Sequence, residues 1–281
     1  MTNTVDVSQV PSALVAYRRA GKGPGVLFIQ GVGVVGEGWR PQVDGLADRY
    51  TTISFDNRGL GETVLGSAPL TVESMALDAL AIMDREKIEK FHVVGHSMGG
   101  LIAQEVALQA PARVKSLALL CTFARGKQAT RLTPAIVLIG LRTRLGTRAM
   151  RRNAFLELVM PPALLANCDR GQLAEKLRGL FGRDLAEQPP IILKQLAAMA
   201  KYDASGRLGQ LANIPSLVMS AELDRIALPS FGRELAAAIP GARFVELPGA
   251  GHGVPIHDPE IVNARLAAHF AAADSRPDPA P

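Results

Sequence analysis

Short apolar runs that alternate with helical segments are the feature that most constrains how this chain can fold. Such alternation is typical of parallel βαβ units, in which each helix crosses back over a sheet to the next strand. A chain of 281 residues that is 48% hydrophobic can bury a core of this kind. The predicted strands are Val26–Gln30, Thr51–Phe55, Phe91–Gly95, Ser116–Leu120, Ser216–Ser220 and Arg243–Leu247, with a preceding hairpin over Ala13–Ala20. The predicted helices lie near Arg40–Arg49, Val72–Glu86, Met98–Gln109, Ser230–Ile239 and Pro259–Ala272.

One long interval interrupts this alternation. From Thr122 to about Arg207 no strand-like run occurs, and helical segments are separated by Gly and Pro. The economical interpretation is an insertion between two strands of one continuing sheet, lying over the strand ends where open α/β sheets bind ligands. We therefore expect a core of residues 1–121 and 208–273, an insertion of residues 122–207 and a solvated tail of residues 274–281.

The segment Gly95-His96-Ser97-Met98-Gly99 follows an apolar strand and precedes a helix. A serine on so sharp a turn needs an unusual backbone geometry, and glycines two residues away on either side let neighbouring backbone approach closely. The turn would raise the Ser97 hydroxyl above the sheet and place the Met98 N–H at a helix N-terminus, where developing negative charge is favoured. This context predicts Ser97 as a nucleophile rather than as an incidental serine in a Gly-rich turn.

A serine nucleophile needs a general base, and the chain has five histidines. His252 follows a predicted strand and has glycines on both sides, in a loop that can hold an imidazole over the sheet. His257 is the second choice. The other three histidines fall within a strand, within the turn that carries Ser97 and within the last helix.

The base in turn needs a carboxylate that fixes its tautomer and stabilises the imidazolium. Asp224 and Glu222 both follow the strand Ser216–Ser220, and either could instead form a surface ion pair with Arg225. The end of the preceding strand offers no carboxylate. Asp224 is favoured, and Glu222 is kept as the alternative.

The order Ser97, Asp224, His252 along the chain resembles the α/β-hydrolase family. The segments Phe55-Asp-Asn-Arg-Gly59, Gly95-His-Ser-Met-Gly-Gly100 and Gly249-Ala-Gly-His252 carry the same resemblance, which covers the chain except for the insertion and the tail. The resemblance implies an α/β fold with a doubly wound, mostly parallel sheet and a helical cap. It also implies that the acid lies at Asp224.

An oxyanion hole needs two fixed N–H groups, and Met98 N–H is one candidate. By resemblance, Val32 N–H is the second donor, in the loop after the first parallel strand. Where the family often has His-Gly, this chain has Gln30-Gly31, and the Gln side chain is expected to hold the loop. The predicted substrate-binding residues are Gln30, Gly31, Ile136 and Ile139; side chains of Val32 and Met98 are further candidates for the pocket wall, although apolar residues here could equally be packing.

The same loop also fits a dinucleotide-binding pattern. Gly31, Gly33 and Gly36 follow a strand in Gly-x-Gly-x-x-Gly spacing, and Asp56 ends the next strand. A nucleotide-dependent oxidoreductase is therefore a rival hypothesis. Pro41 soon after the third glycine opposes a clean helix there, and the rival leaves Ser97 and its partners unexplained.

Charge and composition narrow the possible partners. The formal net charge is +5, and between Arg125 and Arg152 there are eight Lys or Arg and no Asp or Glu. A solvated Arg-rich face is the simpler interpretation of this basic segment, and contact with anionic lipid or an acidic partner is the alternative. No motif favours nucleic acid. The beginning does not read as a signal peptide, and no apolar run could span a membrane, so a cytoplasmic location is expected.

The sequence thus predicts a serine hydrolase that cleaves a small, mostly uncharged ester or lactone through an acyl-enzyme on Ser97. The two cysteines form no disulfide framework and no metal spacing, and no cofactor or metal is implied. The same fold also hosts cofactor-free oxygenases, acyltransferases, dehalogenases and ligand receptors. A serine in place of a carboxylate nucleophile argues against a dehalogenase.

Overall fold

The computed structural model describes residues 15–129 and 134–276, and within them a sheet of seven strands has the order β1-β3-β2-β4-β5-β6-β7. All neighbouring strands are parallel except β1 and β3. The predicted fold class is therefore confirmed, and the predicted parallel strands are all present with small shifts at their ends. The strands are β1 (Tyr17–Ala20), β2 (Gly25–Ile29), β3 (Thr51–Phe55), β4 (Phe91–His96), β5 (Val114–Leu120), β6 (Ser216–Ala221) and β7 (Arg243–Leu247).

Helices follow the strands as the alternation predicted. The helices of the sheet layer are α1 (Arg40–Leu46), α2 (Val72–Arg85), α3 (Met98–Gln109), α10 (Pro229–Ala238), α11 (Val254–His257) and α12 (Pro259–Asp274). Those of the insertion are α4 (Gly126–Ala129), α5 (Pro134–Arg142), α6 (Arg148–Val159), α7 (Pro162–Ala166), α8 (Arg170–Phe181) and α9 (Ile191–Lys201). Strands β2, β3, β4 and β6 are buried throughout, as expected of a parallel sheet covered by helices.

The predicted hairpin at the beginning of the chain is wrong in its pairing. Strand β1 does not pair with the strand that follows it but with β3, antiparallel, so that Tyr17 lies opposite Phe55. It is an edge strand, and alternation within four residues cannot indicate which neighbour it joins. Ala13 and Leu14 lie outside the described residues.

The insertion between β5 and β6 forms a cap with a small apolar core of its own. Leu156, Leu177 and Phe181 are buried there, and Val34 from the loop after β2 joins the same cluster. The cap is thereby packed against the loop that was predicted to carry the oxyanion hole. At the other end of the chain, α12 runs through Asp274, one residue into the predicted tail, and residues 277–281 lie outside the described residues.

The basic segment is partly neutralised within the protein. Several of its arginines pair with acids elsewhere in the chain: Arg125 with Glu234, Arg142 with Glu157, and Arg148 and Arg152 with Asp184. A purely solvated face is therefore too simple a description. In the part of the chain that the structure describes, no helix is both long and apolar enough to cross a membrane.

The sheet order fixes where a site can form. Strand β2 lies between β3 and β4, so the chain leaves β2 in one direction and returns on its other side. At such a switch point the loops after the two strands diverge and leave a crevice at the carboxyl ends. The loop after β2 begins at Gln30, and the turn after β4 carries Ser97.

Candidate active site

Ser97 occupies the strand-to-helix turn in a conformation that side chains rarely adopt. Its φ is 55° and its ψ is −122°, and Ser97 N donates to Leu120 O at 3.0 Å. The flanking glycines are required by space, because a Cβ on Gly95 would lie 2.2 Å from Gly99 O and one on Gly99 would lie 2.1 Å from Ile29 O. The turn therefore holds the serine at the end of β4 and packs it against β2, at a cost in backbone strain typical of functional sites.

His252 and Asp224 are joined directly. His252 Nδ1 lies 2.7 Å from Asp224 Oδ2, and both side chains are almost fully buried. The other carboxylate oxygen accepts from Ile226 N at 2.8 Å and Ala227 N at 2.9 Å. With both oxygens in use, Asp224 is fixed in place, and an Nδ1–H that donates to it leaves His252 Nε2 free to accept a proton.

The two alternative residues support the histidine loop instead. Glu222 Oε2 accepts from Gly249 N at 2.7 Å, and His257 Nε2 accepts from Gly251 N at 3.1 Å. Neither contacts the imidazole of His252 through these bonds. Glu222 and His257 thus stabilise the backbone of the loop that carries His252. The geometry favours Asp224 as the acid and His252 as the base.

A cavity of about 220 Å³ brings the predicted residues together. Ser97, His252, Gln30, Gly31 and Val32 all line it, and most of the remaining wall is apolar: Val34, Phe155, Leu158, Val159, Ile192, Leu196, Met199, Ile226 and Ile256. Among the described contacts no hydrogen bond joins Ser97 to His252; such bonds often tighten only in the substrate complex.

Gly31 lies against the nucleophile itself. A Cβ at this position would be 2.9 Å from Ser97 Cβ and 3.5 Å from Ser97 Oγ. Any larger residue would press on the nucleophile. The loop after β2 therefore passes directly beside Ser97, and the oxyanion-hole role of the Val32 and Met98 N–H groups stays a prediction.

Gln30 has the contacts of a residue that holds this loop. It is 2% exposed, and its Oε1 accepts from Gly31 N at 3.2 Å. Its backbone oxygen accepts from Asn57 Nδ2 at 3.0 Å, which ties the loop after β2 to the one after β3. Gln30 also lines the cavity, so it can contact a ligand without supplying a titratable group.

The remaining residues that were predicted to line the pocket are Met98, Ile136 and Ile139. The Met98 side chain is fully buried in the main core and is not among the residues that line the cavity. Its predicted N–H role is a backbone role and does not depend on the side chain. Ile136 and Ile139 belong to helix α5, and their side chains lie outside the described residues.

His96 is a site residue that sequence reasoning left within the turn without a role. Its Nε2 bonds to the backbone oxygen of His252 at 2.8 Å, and the two rings lie 4.7 Å apart. Burial, with a smaller contribution from His252, lowers the pKa of His96 to about 3, so the ring is neutral at ordinary pH. A neutral Nε2–H donates to that oxygen and anchors the base. The position directly before the serine was the signal available in the sequence.

One group of possible metal ligands overlaps this site. Among the described residues, His96, Cys121 and His252 place ligand atoms within 4.8 Å of one another. One ring nitrogen of each histidine is already engaged, since His252 Nδ1 faces Asp224 and His96 Nε2 faces the His252 carbonyl. The cluster is better explained by the hydrogen bonds of the base than by a cation.

The dinucleotide-binding pattern has a different explanation in the structure. Asp56 Oδ1 accepts from Gly36 N at 2.7 Å and Oδ2 from Glu62 N at 3.1 Å, so its carboxylate braces loops rather than facing a ribose. The residues after the third glycine form a short 3₁₀ turn, Gly36–Trp39, instead of a long helix that could face a pyrophosphate. Of these glycines, Gly31 lies against Ser97, Gly33 against Ile192 of the cap and Gly36 against the backbone of Phe55.

Known proteins resemble this chain along most of its length. A protein of Agrobacterium fabrum with the provisional name carbamate hydrolase RutD is 28% identical over 259 residues, covering 92% of this chain and 97% of the relative. A Mycobacterium tuberculosis protein with the provisional name non-heme bromoperoxidase BpoC is 32% identical over 278 residues, with 92% and 98% covered. The crystal structure of the enol-lactonase from Burkholderia xenovorans LB400 has a TM-score of 0.76 at 26% identity, covering 92% of this chain and 96% of that one.

The family model for the alpha/beta hydrolase fold matches residues 24–259. That range includes the turn at Ser97, the whole cap and the loop of His252. The sheet order, the strained serine and the paired histidine and aspartate all agree with this match. The chain belongs to the α/β-hydrolase fold family.

Proposed function

We propose that the protein is a serine hydrolase that cleaves a carboxylic ester or lactone through an acyl-enzyme on Ser97. The observation that carries this proposal is the bond of 2.7 Å between His252 Nδ1 and Asp224 Oδ2, beside a serine held at φ 55° in the same cavity. A base so oriented and a serine that lines the same cavity are the parts that acyl transfer requires.

The reaction proceeds in two steps. His252 Nε2 takes the proton of Ser97 Oγ as the oxygen attacks the carbonyl carbon, and the C–O bond of the substrate breaks as the same proton passes to the leaving oxygen. Met98 N–H and Val32 N–H stabilise the negative oxygen of the tetrahedral intermediate. Water, activated by His252, then attacks the acyl-enzyme and releases Ser97. For a lactone the leaving oxygen stays attached to the product.

The mostly apolar wall of the cavity favours a substrate that is uncharged around the bond to be cleaved. Residues such as Leu158, Ile192 and Leu196 can bury the carbon skeleton around the scissile bond but cannot neutralise a charge there. The cavity of about 220 Å³ suits a compact group. The bond region of the substrate is therefore expected to be small and apolar.

Active-site labelling and a substrate panel test this proposal together. A fluorophosphonate probe should label the wild type at Ser97, and labelling should disappear in Ser97→Ala. The panel contains nitrophenyl esters, lactones and, because of the provisional name of one relative, carbamates. Labelling without turnover of any member would favour a ligand-binding role on the same fold, and absence of labelling in a folded protein would contradict the hydrolase assignment.

A further inference from the structure

A second cavity adjoins the catalytic one under the cap. Its volume is about 690 Å³, and it shares Phe181, Arg183 and Gln188 with the wall of the cavity that holds Ser97. Part of its wall comes from the loops after β2 and β3, at Gly33 and Gly59 to Gly61, and the rest comes from the cap. These shared residues make the two cavities direct neighbours.

Three arginines line the second cavity: Arg144, Arg151 and Arg183. The acidic residue on the same wall is Glu187, and its side chain is exposed. The lining thus carries an excess of positive charge in a cavity that is open to solvent on one side. Such concave basic sites concentrate anions.

These three arginines differ from the other arginines of the cap. Within the described part of the cap and its connection to β6, every other arginine has a carboxylate within 4.0 Å: Arg125, Arg142, Arg148, Arg152, Arg170, Arg178 and Arg207. For Arg144, Arg151 and Arg183, no described carboxylate lies at that distance. The arginines that lack a carboxylate partner are thus the ones that meet in one cavity.

Two of these three arginines, Arg183 and Arg151, are partly buried and are not simply surface charges. Arg183 donates to the backbone oxygens of Gly33 at 3.3 Å and Glu187 at 2.7 Å, which fixes its guanidinium without neutralising it. Burial lowers the pKa of Arg183, and the nearby carboxylates of Glu187 and Asp184 offset that effect only in part. Arg151 Nε is buried and has no hydrogen-bond partner among the described groups. An unpartnered donor is costly, so the Arg151 guanidinium, which lines the cavity, would gain from an acceptor placed there.

We propose that the substrate carries a carboxylate remote from the scissile bond, and that Arg144, Arg151 and Arg183 bind this carboxylate in the second cavity. Guanidinium groups match a carboxylate in shape and can donate two parallel hydrogen bonds to it. The proposal rests on the proposed function, and it replaces the mostly uncharged substrate expected from the sequence. The substrate is then apolar at the bond that Ser97 attacks and anionic at its far end.

The test compares two esters that differ only in the distant charge. One is the nitrophenyl half-ester of glutaric acid, and the other is the same compound with its free carboxylate capped as a methyl ester. We expect the wild type to have a higher kcat/KM for the half-ester, and added salt to reduce that preference. Arg151→Gln should lower kcat/KM for the half-ester about tenfold, as expected for the loss of a hydrogen bond to a charged group, and leave the capped ester nearly unchanged.

Two further variants keep this test decisive. Arg178→Gln removes a cap charge that faces Glu175 rather than the cavity, so it should leave the preference unchanged. Arg144→Gln, at an exposed position, should reduce the preference even if Arg151→Gln does not fold. Arg183 is not a suitable probe, because its bonds to backbone oxygens hold the loop beside Gly33.

Failure of this inference can be distinguished from failure of the proposed function. Equal kcat/KM for the two esters in the wild type, or an equal loss for both in Arg151→Gln, would overturn the anion site and leave serine catalysis intact. Titration calorimetry with glutarate tests the site without turnover. Binding that survives Ser97→Ala and weakens about tenfold in Arg151→Gln supports the site, and absence of binding to the wild type overturns it.

Discussion

The sheet layer and the cap hold their polar groups in different ways. Beneath the cavity, Asp224, His252 and His96 are buried and are fixed by hydrogen bonds among themselves and to nearby backbone. In the cap, Asp184 is buried among guanidinium groups: it pairs with Arg148 and Arg152, which are themselves partly or largely exposed. The first arrangement depends on backbone geometry and the second on charge.

This difference suggests that the sheet layer and the cap contribute to different steps of the reaction. Groups fixed by buried backbone contacts keep the sub-ångström geometry that proton transfer needs, and salt screens them little. Ion pairs near the surface hold the cap more loosely and weaken as salt rises. We therefore expect changes in the sheet layer to act mainly on kcat and changes in the cap to act mainly on KM.

The largest effect is expected at the nucleophile. Ser97→Ala should lower kcat on the order of 10⁶-fold, because no other group in the cavity is placed to form the acyl-enzyme. The variant should melt like the wild type, since the Ser97 hydroxyl supplies no core packing. Turnover assays on an ester that the wild type hydrolyses, together with thermal melting curves, measure both quantities. Near-native turnover by a folded Ser97→Ala protein would contradict the mechanism.

The orienting acid should matter next. Asp224→Asn should lower kcat about 10⁴-fold, because an amide in place of the carboxylate favours the wrong imidazole tautomer. Glu222→Gln is the matched control: its carboxylate bonds only to Gly249 N, so the variant should keep most of its activity. If Glu222→Gln were the more harmful of the two in folded proteins, the acid would have to be reassigned to Glu222.

Much of this layer could be predicted from the sequence because its constraints are local. The segment around Ser97 combines a strand, two glycines and a helix start within a few residues, and the loop of His252 is equally compact. The sequence left Glu222 open as an alternative to Asp224. The structure distinguishes the two, because it shows that Glu222 bonds to Gly249 N. His96 was missed for the same reason: its partner is a backbone oxygen 156 residues away.

The cap was much less predictable. The absence of strand-like runs indicates an insertion, but helical periodicity does not indicate how helices pack on a distant loop. The basic segment suggested a solvated face, whereas Asp184, which pairs with two of its arginines, lies more than thirty residues further along the chain. The second cavity depends on Arg183 meeting Arg144 and Arg151, and no spacing in the sequence indicates that meeting.

Acid should destabilise the sheet layer. Burial is the largest cause of a lowered pKa at three histidines, to about 3 at His96 and to about 4 at His92 and His269. An unfolded histidine titrates near pH 6.5, so the unfolded state binds more protons below that pH. The stability that these neutral rings supply is complete above pH 6.5 and is lost as the pH falls toward 4.

Urea unfolding at pH 7 and at pH 4.5 measures this loss. We expect each of the three rings to lower the free energy of unfolding by roughly 2 to 3 kcal/mol, because about two pH units separate pH 4.5 from the unfolded pKa at about 1.4 kcal/mol per unit. His269→Gln removes one of the three titrating rings and should therefore show a smaller decrease. Equal stability at the two pH values would mean that these histidines are not held neutral in the folded protein.

The loop after β2, which carries Val32, connects the sheet layer with the cap. Changes in this loop should have an intermediate effect on catalysis. Val32→Pro removes a backbone N–H and should cost roughly 3 kcal/mol of transition-state stabilisation, about a hundredfold in kcat. Val32→Ala keeps that N–H and should retain most activity. Gln30→His should also be tolerated, without a new titration in the pH–rate profile. A folded and fully active Val32→Pro protein would move the second donor elsewhere, with Gly33 N–H the next candidate.

The smallest effect is expected in the cap, at Asp184. Its carboxylate accepts from Arg152 Nε at 2.9 Å and from Ala186 N at 2.8 Å, and the bond from Arg152 is the largest cause that holds the pKa of Asp184 below its usual range. Asp184→Asn keeps the shape but loses the charge, so the cap should be held less firmly beside the cavity. We expect KM to rise roughly threefold to fivefold, the size of partly exposed ion pairs, with kcat unchanged. High salt should raise the KM of the wild type toward that of the variant, because it screens the same pairs. Glu175→Gln, at an exposed carboxylate that bonds to the same arginine, should change KM less. A fall in kcat as large as the rise in KM would show that the cap helps to position the reacting groups, and the division between the two layers would then be wrong.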